Sequence, residues 1–273
     1  NLPLKSGSQR FVVGEYWGNA QSIHSWVTNI DAGTSTVTSG TTTGADVDAF
    51  DFPLKFALNG IVNNTSGSAD ITSTLDHASM VRNNSGYSLS GTQLVTFVDN
   101  HDTGKEHDKW VSSDWDMAYA YILTHEGRPC VFYSHYYGVE QDDAHGSSYT
   151  TQAPSSLQGD IDNLIHIRNN YLGGGLEVLS ADGNPYPSAD ASDVYVARRS
   201  GNGTKTGAII VINDNSSSTK GLWVDHTLGT SIWANTHLVN VETGDSTFVY
   251  SDGRVYVEAG SRDFAVFVPA SEF

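Results

Sequence analysis

The stretch GTQLVTFVDNHDT, residues 91–103, decides how the chain reads. It opens on turn residues, runs through the apolar segment Leu94 to Val98, and ends on Asp99, Asn100, His101 and Asp102. A short apolar run bounded by turn signals predicts a strand. Upstream, VDAFDF (47–52) repeats the pattern, and PLKFALNGIVN follows it as a helix with Pro53 where its missing N–H costs nothing. Further upstream, RFVVGEYW (10–17) reads as a strand, and NAQSIHSWVTNI (19–30) as a helix with Ile23, Trp26, Val27 and Ile30 on one stripe. Downstream come the helix SSDWDMAYAYILTHEG (112–127), the strand RPCVFYSHYYG and the helix SSLQGDIDNLIHIRNNYLGGG (155–175).

Strands that alternate with helices at this spacing predict parallel pairing through right-handed crossovers, here as four βα units. Residues 31–46, rich in Thr, Ser and Gly without a period, predict a surface loop. From about residue 176 the pattern changes to short alternating runs, DVYVARR, GAIIVIND, GLWVDH, STFVYSD, RVYVEAG and DFAVFVP, separated by turn residues. These predict an all-β, antiparallel sandwich domain. The expected organisation is an α/β domain over 1–175 and a β-sandwich over 176–273.

The balance of 31 Asp and Glu against 14 Lys and Arg, a net charge of −17, excludes a phosphate-backbone partner, so no nucleic acid is expected. The acidic excess fits a protein kept soluble in brine, and a secreted hydrolase has the same look. No apolar run reaches the roughly 18 residues of a spanning helix, so no membrane helix is expected. The single cysteine, Cys130, allows no internal disulfide and predicts a small buried hydrophobe. The first residues, NLPLKSGSQR, carry no initiator Met and suggest a processed or truncated piece.

Three strand ends carry polar or aromatic clusters: Glu15 with Tyr16 and Trp17; Asp99 to Asp102; and Ser134, His135, Tyr136 and Tyr137. The C-terminal ends of parallel barrel strands are where sites are built. A carboxyl beside apolar rings is desolvated, which raises its pKa and suits it to donate a proton, so Glu15 is a candidate general acid. The alternative is a carboxylate paired with a cation, Arg10 being nearest in sequence. In VDNHDT, alternation would send Asp99 and His101 one way and Asn100 and Asp102 the other. The His/Asp pair could ligate a metal, brace a loop or clamp sugar hydroxyls; Asn100 is expected to brace a turn. Glycoside cleavage needs an acid for the leaving oxygen and a second carboxylate across the ring. Trp17, Tyr136 and Tyr137 are candidate stacking platforms for sugar rings, although each taken singly is more often core than platform. The segments HDKW and DDAHG read as solvated loops.

The ordered set VVGEYW, FDFPL, VTFVDNHDT, AYAYILTHEGRPCVFY and YYG resembles the second half of α-amylases of glycoside hydrolase family 13. The resemblance spans residues 10 to about 175, and the sandwich is similar to that family's C-terminal domain. It implies strands 5 to 8 of a (β/α)8 TIM barrel. It implies that Glu15 is the general acid and base, that His101 contacts the sugar at the cleavage subsite, that Asp102 is the carboxylate holding ring hydroxyls, and that Trp17 is an acceptor-side ring; Tyr136 and Tyr137 carry over less securely. It implies retaining hydrolysis of α-1,4-glucosidic bonds in starch and maltooligosaccharides, secretion, and bound calcium whose ligands fall mostly outside this sequence.

The family's nucleophilic Asp, with an Arg two residues before it, has no counterpart here; SRDFAVF (261–267) lies in the sandwich region. A half barrel leaves unpaired strand edges, so the missing N-terminal half of the barrel is an expected partner and the chain alone is expected to be inactive. Two alternatives stay open: a non-catalytic glucan-binding relative of amylases, and a transglycosylase of the same family.

Overall fold

The computed structural model describes residues 11–32, 35–37, 40–42, 47–67, 69–181, 183–225 and 232–273. Its first part is a run of βα units. Strand β1 (Val13–Gly14) leads into helix α1 (Ala20–Ala32), whose Ile23 and Val27 are buried. The hairpin β2 (Ser35–Val37) and β3 (Gly40–Thr42) follows, where a loop was expected; its antiparallel pairing is a local contact that Thr and Ser runs carry without a hydrophobic signal. Strand β4 (Asp48–Phe50) then feeds α2 (Phe52–Val62). The Asp51 carboxylate caps α2 by accepting from Leu54 N at 3.1 Å, and Pro53 sits in its first turn, as the sequence predicts. A short helix α3 (Ile71–Leu75), not foreseen, precedes β5 (Leu94–Phe97). Then come α4 (Trp115–Thr124), β6 (Arg128–Cys130), the single turn α5 (Tyr133–Tyr136), the small hairpin β7 (Gln141–Asp142) and β8 (Thr150–Thr151), and α6 (Leu157–Tyr171).

Strands β1, β4, β5 and β6 pair in that order, all parallel. Chain order equal to spatial order, with a helix in every crossover, is the winding of a (β/α)8 barrel, of which this is half. Partners in a parallel ladder share a face, so Gly14, Ala49 and Leu94 turn toward the helices, where Trp26 of α1 lies against Gly14. A Cβ on Gly14 would stand 2.2 Å from the indole, which is why this strand position carries none. The opposite, concave face carries Phe50, Val95, Phe97, Arg128 and Cys130. Cys130 is exposed, not buried as its sequence context suggested, because it lies on this concave face at the edge strand β6. The fourth strand also stops earlier than expected: beyond Cys130 the chain coils into α5, so Tyr136 belongs to a helical turn and Tyr137 caps it.

The remaining strands are β9 (Leu176–Val178), β10 (Val194–Ser200), β11 (Gly207–Asn213), β12 (Lys220–Asp225), β13 (Thr236–Asn240), β14 (Ser246–Val249), β15 (Arg254–Ala259) and β16 (Asp263–Pro269). Six form an antiparallel sheet in the order β14-β13-β16-β11-β10-β9, and β12 pairs with β15. Leu222, Val224, Val255 and Val257 alternate inward from that pair and pack on Val196, Ile209 and Val211. The other face of the six-stranded sheet, with Tyr195, Ile210, Ile212, Phe264 and Val266, shares one core with α4, α6 and α2. Every residue of β11 is therefore buried, and so is nearly all of α4.

Candidate active site

Glu15 directly follows β1, and the turn 100–103 follows β5, so both stand at the C-terminal ends of their strands. The structure brings them together. Asn100 Nδ2 donates to Glu15 Oε1 at 3.0 Å, and the Trp17 indole N–H donates to the same oxygen at 2.9 Å. Asn100 Oδ1 meanwhile accepts from the backbone N–H groups of Asp102 (3.0 Å) and Thr103 (2.8 Å), which is the turn brace expected of it. One amide thus links the carboxyl of Glu15 to the turn that presents Asp102.

Around Asp102 the charges are local. Lys105 Nζ lies 2.7 Å from Asp102 Oδ1 and His101 Nε2 lies 3.5 Å from Oδ2. The Lys105 hydrogen bond, with the nearby His101, holds the Asp102 carboxyl below the usual carboxylate range. His101 is largely exposed, so it projects from the turn and not into the core.

Strict alternation fails at this strand end. Asp99 turns inward and is buried, whereas Asn100, His101 and Asp102 lie on the turn beyond it. The Asp99 carboxylate meets the buried ammonium of Lys55 at 2.7 Å, and accepts from Thr103 Oγ1 (2.8 Å) and Val111 N (2.8 Å). His135 Nε2 stands 3.4 Å away, its other nitrogen 3.1 Å from the Tyr119 hydroxyl. Burial by itself would raise the Asp99 carboxyl, but His135 and the Lys55 ammonium hold it below its ordinary value. This buried pair was not foreseen. Lys55 sits in PLKFAL with no signal that marks it as interior; its ammonium is held there by Asp99 and by donating to Asn59 Oδ1 (2.6 Å) and the Lys109 carbonyl (2.7 Å).

Glu15 itself departs from expectation. Its side chain is exposed, so the desolvation predicted for a proton donor between rings is not supplied by these residues. Among the described residues no cation pairs with Glu15; Arg10, the cation nearest in sequence, lies outside them. Trp17 is also exposed and packs at 4.8 Å on Phe52, forming with Asn19, Pro53 and the exposed Phe56 the wall of an apolar groove.

Tyr136 and Tyr137 stay apart from this group. The Tyr136 hydroxyl donates to Asp162 on α6 at 2.9 Å, and Tyr137 is exposed against Tyr133 at 4.6 Å. Among the described residues neither touches Glu15 or Asp102. The DDAHG segment is exposed as expected except at Asp143, which is buried, accepts from His145 N and Ser147, and meets His107 at 2.7 Å. Among the described residues no three His, Cys, Asp or Glu side chains gather to hold a metal. Nor, among them, is any helix long and apolar enough to cross a membrane.

No protein-family model matches the chain. The α-amylase of Geobacillus stearothermophilus is 28% identical over 97% of this chain, and that of Bacillus licheniformis 26% over 94%. Over nearly its whole length the chain is thus similar to the C-terminal part of family 13 α-amylases. It spans 42% and 44% of the length of those two relatives. The crystal structure of the α-amylase from Geobacillus thermoleovorans, complexed with acarbose, superposes with a TM-score of 0.62 at 18% identity, covering 95% of this chain and 53% of that one. The shared architecture is a TIM barrel followed by a β domain, to which the four parallel strands and the antiparallel sheets of this chain correspond.

Proposed function

We propose that this chain supplies the proton donor and the sugar clamp of a retaining α-1,4-glucan hydrolase acting on starch and maltooligosaccharides. The carrying observation is the junction at Asn100, which ties the carboxyl of Glu15 to the turn bearing Asp102 at one rim of the sheet. Glu15 protonates the glycosidic oxygen, and a carboxylate from the upstream half of the barrel attacks the anomeric carbon from the opposite face. Glu15, then ionised, takes a proton from the water that releases the sugar. Asp102, kept anionic by Lys105, accepts hydrogen bonds from ring hydroxyls, and His101 adds a donor beside it. Trp17 stacks on the acceptor-side ring, with the groove toward Phe56 continuing from it. Tyr137 is the more available platform of the second aromatic pair, since Tyr136 is engaged with Asp162.

On this reading residues 1–175 form the second half of the catalytic barrel and 176–273 the C-terminal domain. The upstream half closes over the concave face and desolvates Glu15. The enzyme works outside the cell, where a net charge of −17 favours solubility in salt. Reducing-sugar release from starch by the complete polypeptide tests the assignment. Glu15→Gln should lower kcat/KM by about 10² to 10⁴, and undiminished activity in that variant would remove the proposal.

A further inference from the structure

We infer that Asn100 is a positioning residue for the proton donor: it fixes which oxygen of the Glu15 carboxyl carries the transferable proton. The inference rests on the functional reading above and adds to it a residue outside the carboxylate set.

The argument begins with the orientation of the Asn100 amide. Two backbone N–H groups, of Asp102 and Thr103, point at one end of it, and only a carbonyl oxygen can accept both. The other end is therefore the NH₂ group, which must donate, and at 3.0 Å its acceptor is Glu15 Oε1. That same oxygen receives the Trp17 indole N–H at 2.9 Å. Two donors saturate the lone pairs of Oε1, so an added proton has no place there. It goes to Oε2, to which no described residue donates, and Oε2 becomes the acid end.

The amide is held from below. Asn100 N donates to Thr103 Oγ1 at 3.0 Å, Thr103 Oγ1 donates to Asp99, and Asp99 is anchored by Lys55. The ionisable neighbours are His101, Asp102 and Lys105 on the same turn, and the buried Lys55–Asp99 pair with His135 beneath it. Asp102 and Lys105 offset one another at 2.7 Å, so the Asn100 and Trp17 donors are the direct contacts the described residues make to the Glu15 carboxyl.

Asn100→Asp is the discriminating variant. Aspartate keeps an oxygen for the two backbone donors, so the turn is retained, but it faces Glu15 with a carboxylate where a donor stood. Hydrogen bonds donated to a carboxylate favour its ionised form, and a like charge disfavours it. In the complete enzyme, kcat/KM on starch should fall about 10-fold to 100-fold, and the alkaline limb of its pH profile should move up by about one unit. The melting temperature should change little. Trp17→Phe keeps the ring, removes the second donor and should move the limb in the same direction, which decides the matter if Asn100→Asp does not fold. A loss of rate with an unmoved alkaline limb in the folded variant would make Asn100 merely structural and overturn the inference, as would a wild-type profile. Neither result touches the assignment of Glu15, which stands or falls on Glu15→Gln.

Discussion

Lys55 and Asp99 form a fully buried ion pair directly under the turn that carries His101 and Asp102. Removing one member of such a pair leaves an uncompensated charge in the interior, which costs more than the pair ever contributed. Lys55→Met should therefore destabilise the fold by about 3–5 kcal/mol, read as a lower midpoint in urea unfolding; an unchanged midpoint would mean that the pair is dispensable. A second residue-scale device is Arg262, which joins Asp114 at 2.6 Å and donates to the carbonyls of Val62 (2.7 Å), Asn64 (3.2 Å) and Asp214 (3.0 Å). Both Arg262 and Asp114 sit at positive φ, 52° and 45°, a region that costs a non-glycine residue and is held here by their mutual contact. The sequence made Glu15, Asn100 and Asp102 legible because each follows an apolar strand. The buried pairing of Lys55 with Asp99 and the reach of Arg262 were not, because the partners are far apart along the chain.

At the scale of elements, helices were easier to read than connections. α1, α2, α4 and α6 announce themselves by an apolar stripe and by stop signals, and each is present with its ends within a few residues of expectation. β13 and α5 were missed. β13 is short and mixed in polarity, and gains its place by pairing with β14 and β16; α5 interrupts a β-rich sequence because its helical turn places His135 against Asp99. The C-terminal end of α4 shows how elements are joined. Arg168 of α6 donates to the carbonyls of Leu123, His125 and Gly127, satisfying groups that a helix end leaves open. His125 stacks on Tyr121 at 3.9 Å and meets the Tyr195 hydroxyl of β10 at 2.8 Å. Burial, reinforced by Arg199, holds the His125 imidazole well below its ordinary value, so it stays neutral in the fold. The unfolded chain takes up a proton near pH 6.5 that the native state refuses, and stability falls as pH drops below that value. His125→Gln should flatten this loss when thermal unfolding is followed from pH 7 to pH 5; an unaltered slope would place the effect elsewhere.

Over the whole molecule, the carboxylate excess acts in the opposite sense. Asp116, at the start of α4, is pushed up to about 7 by burial and then by Asp263, Asp114 and Asp160. A raised carboxyl binds its proton more tightly in the native state, so its contribution is complete below about pH 4 and is lost as pH rises to about 7. Asp116→Asn should raise the melting temperature at pH 8 and reduce its dependence on pH between 6 and 8. Added salt should stabilise the wild-type protein more at pH 8 than at pH 6, since it screens repulsion among charges that exist only at the higher pH. The alternation of strands and helices, and then of short strands alone, was enough to read the two-part architecture. It could not show that the six-stranded sheet has apolar residues on both faces for two different reasons, one set meeting β12 and β15 and the other meeting α4 and α6. Among the described residues that sheet belongs to both halves at once, so a cut between α6 and β9 would leave the released C-terminal piece with an uncovered apolar face. Transplanting the β region onto another scaffold would succeed only if α4 and α6 travelled with it.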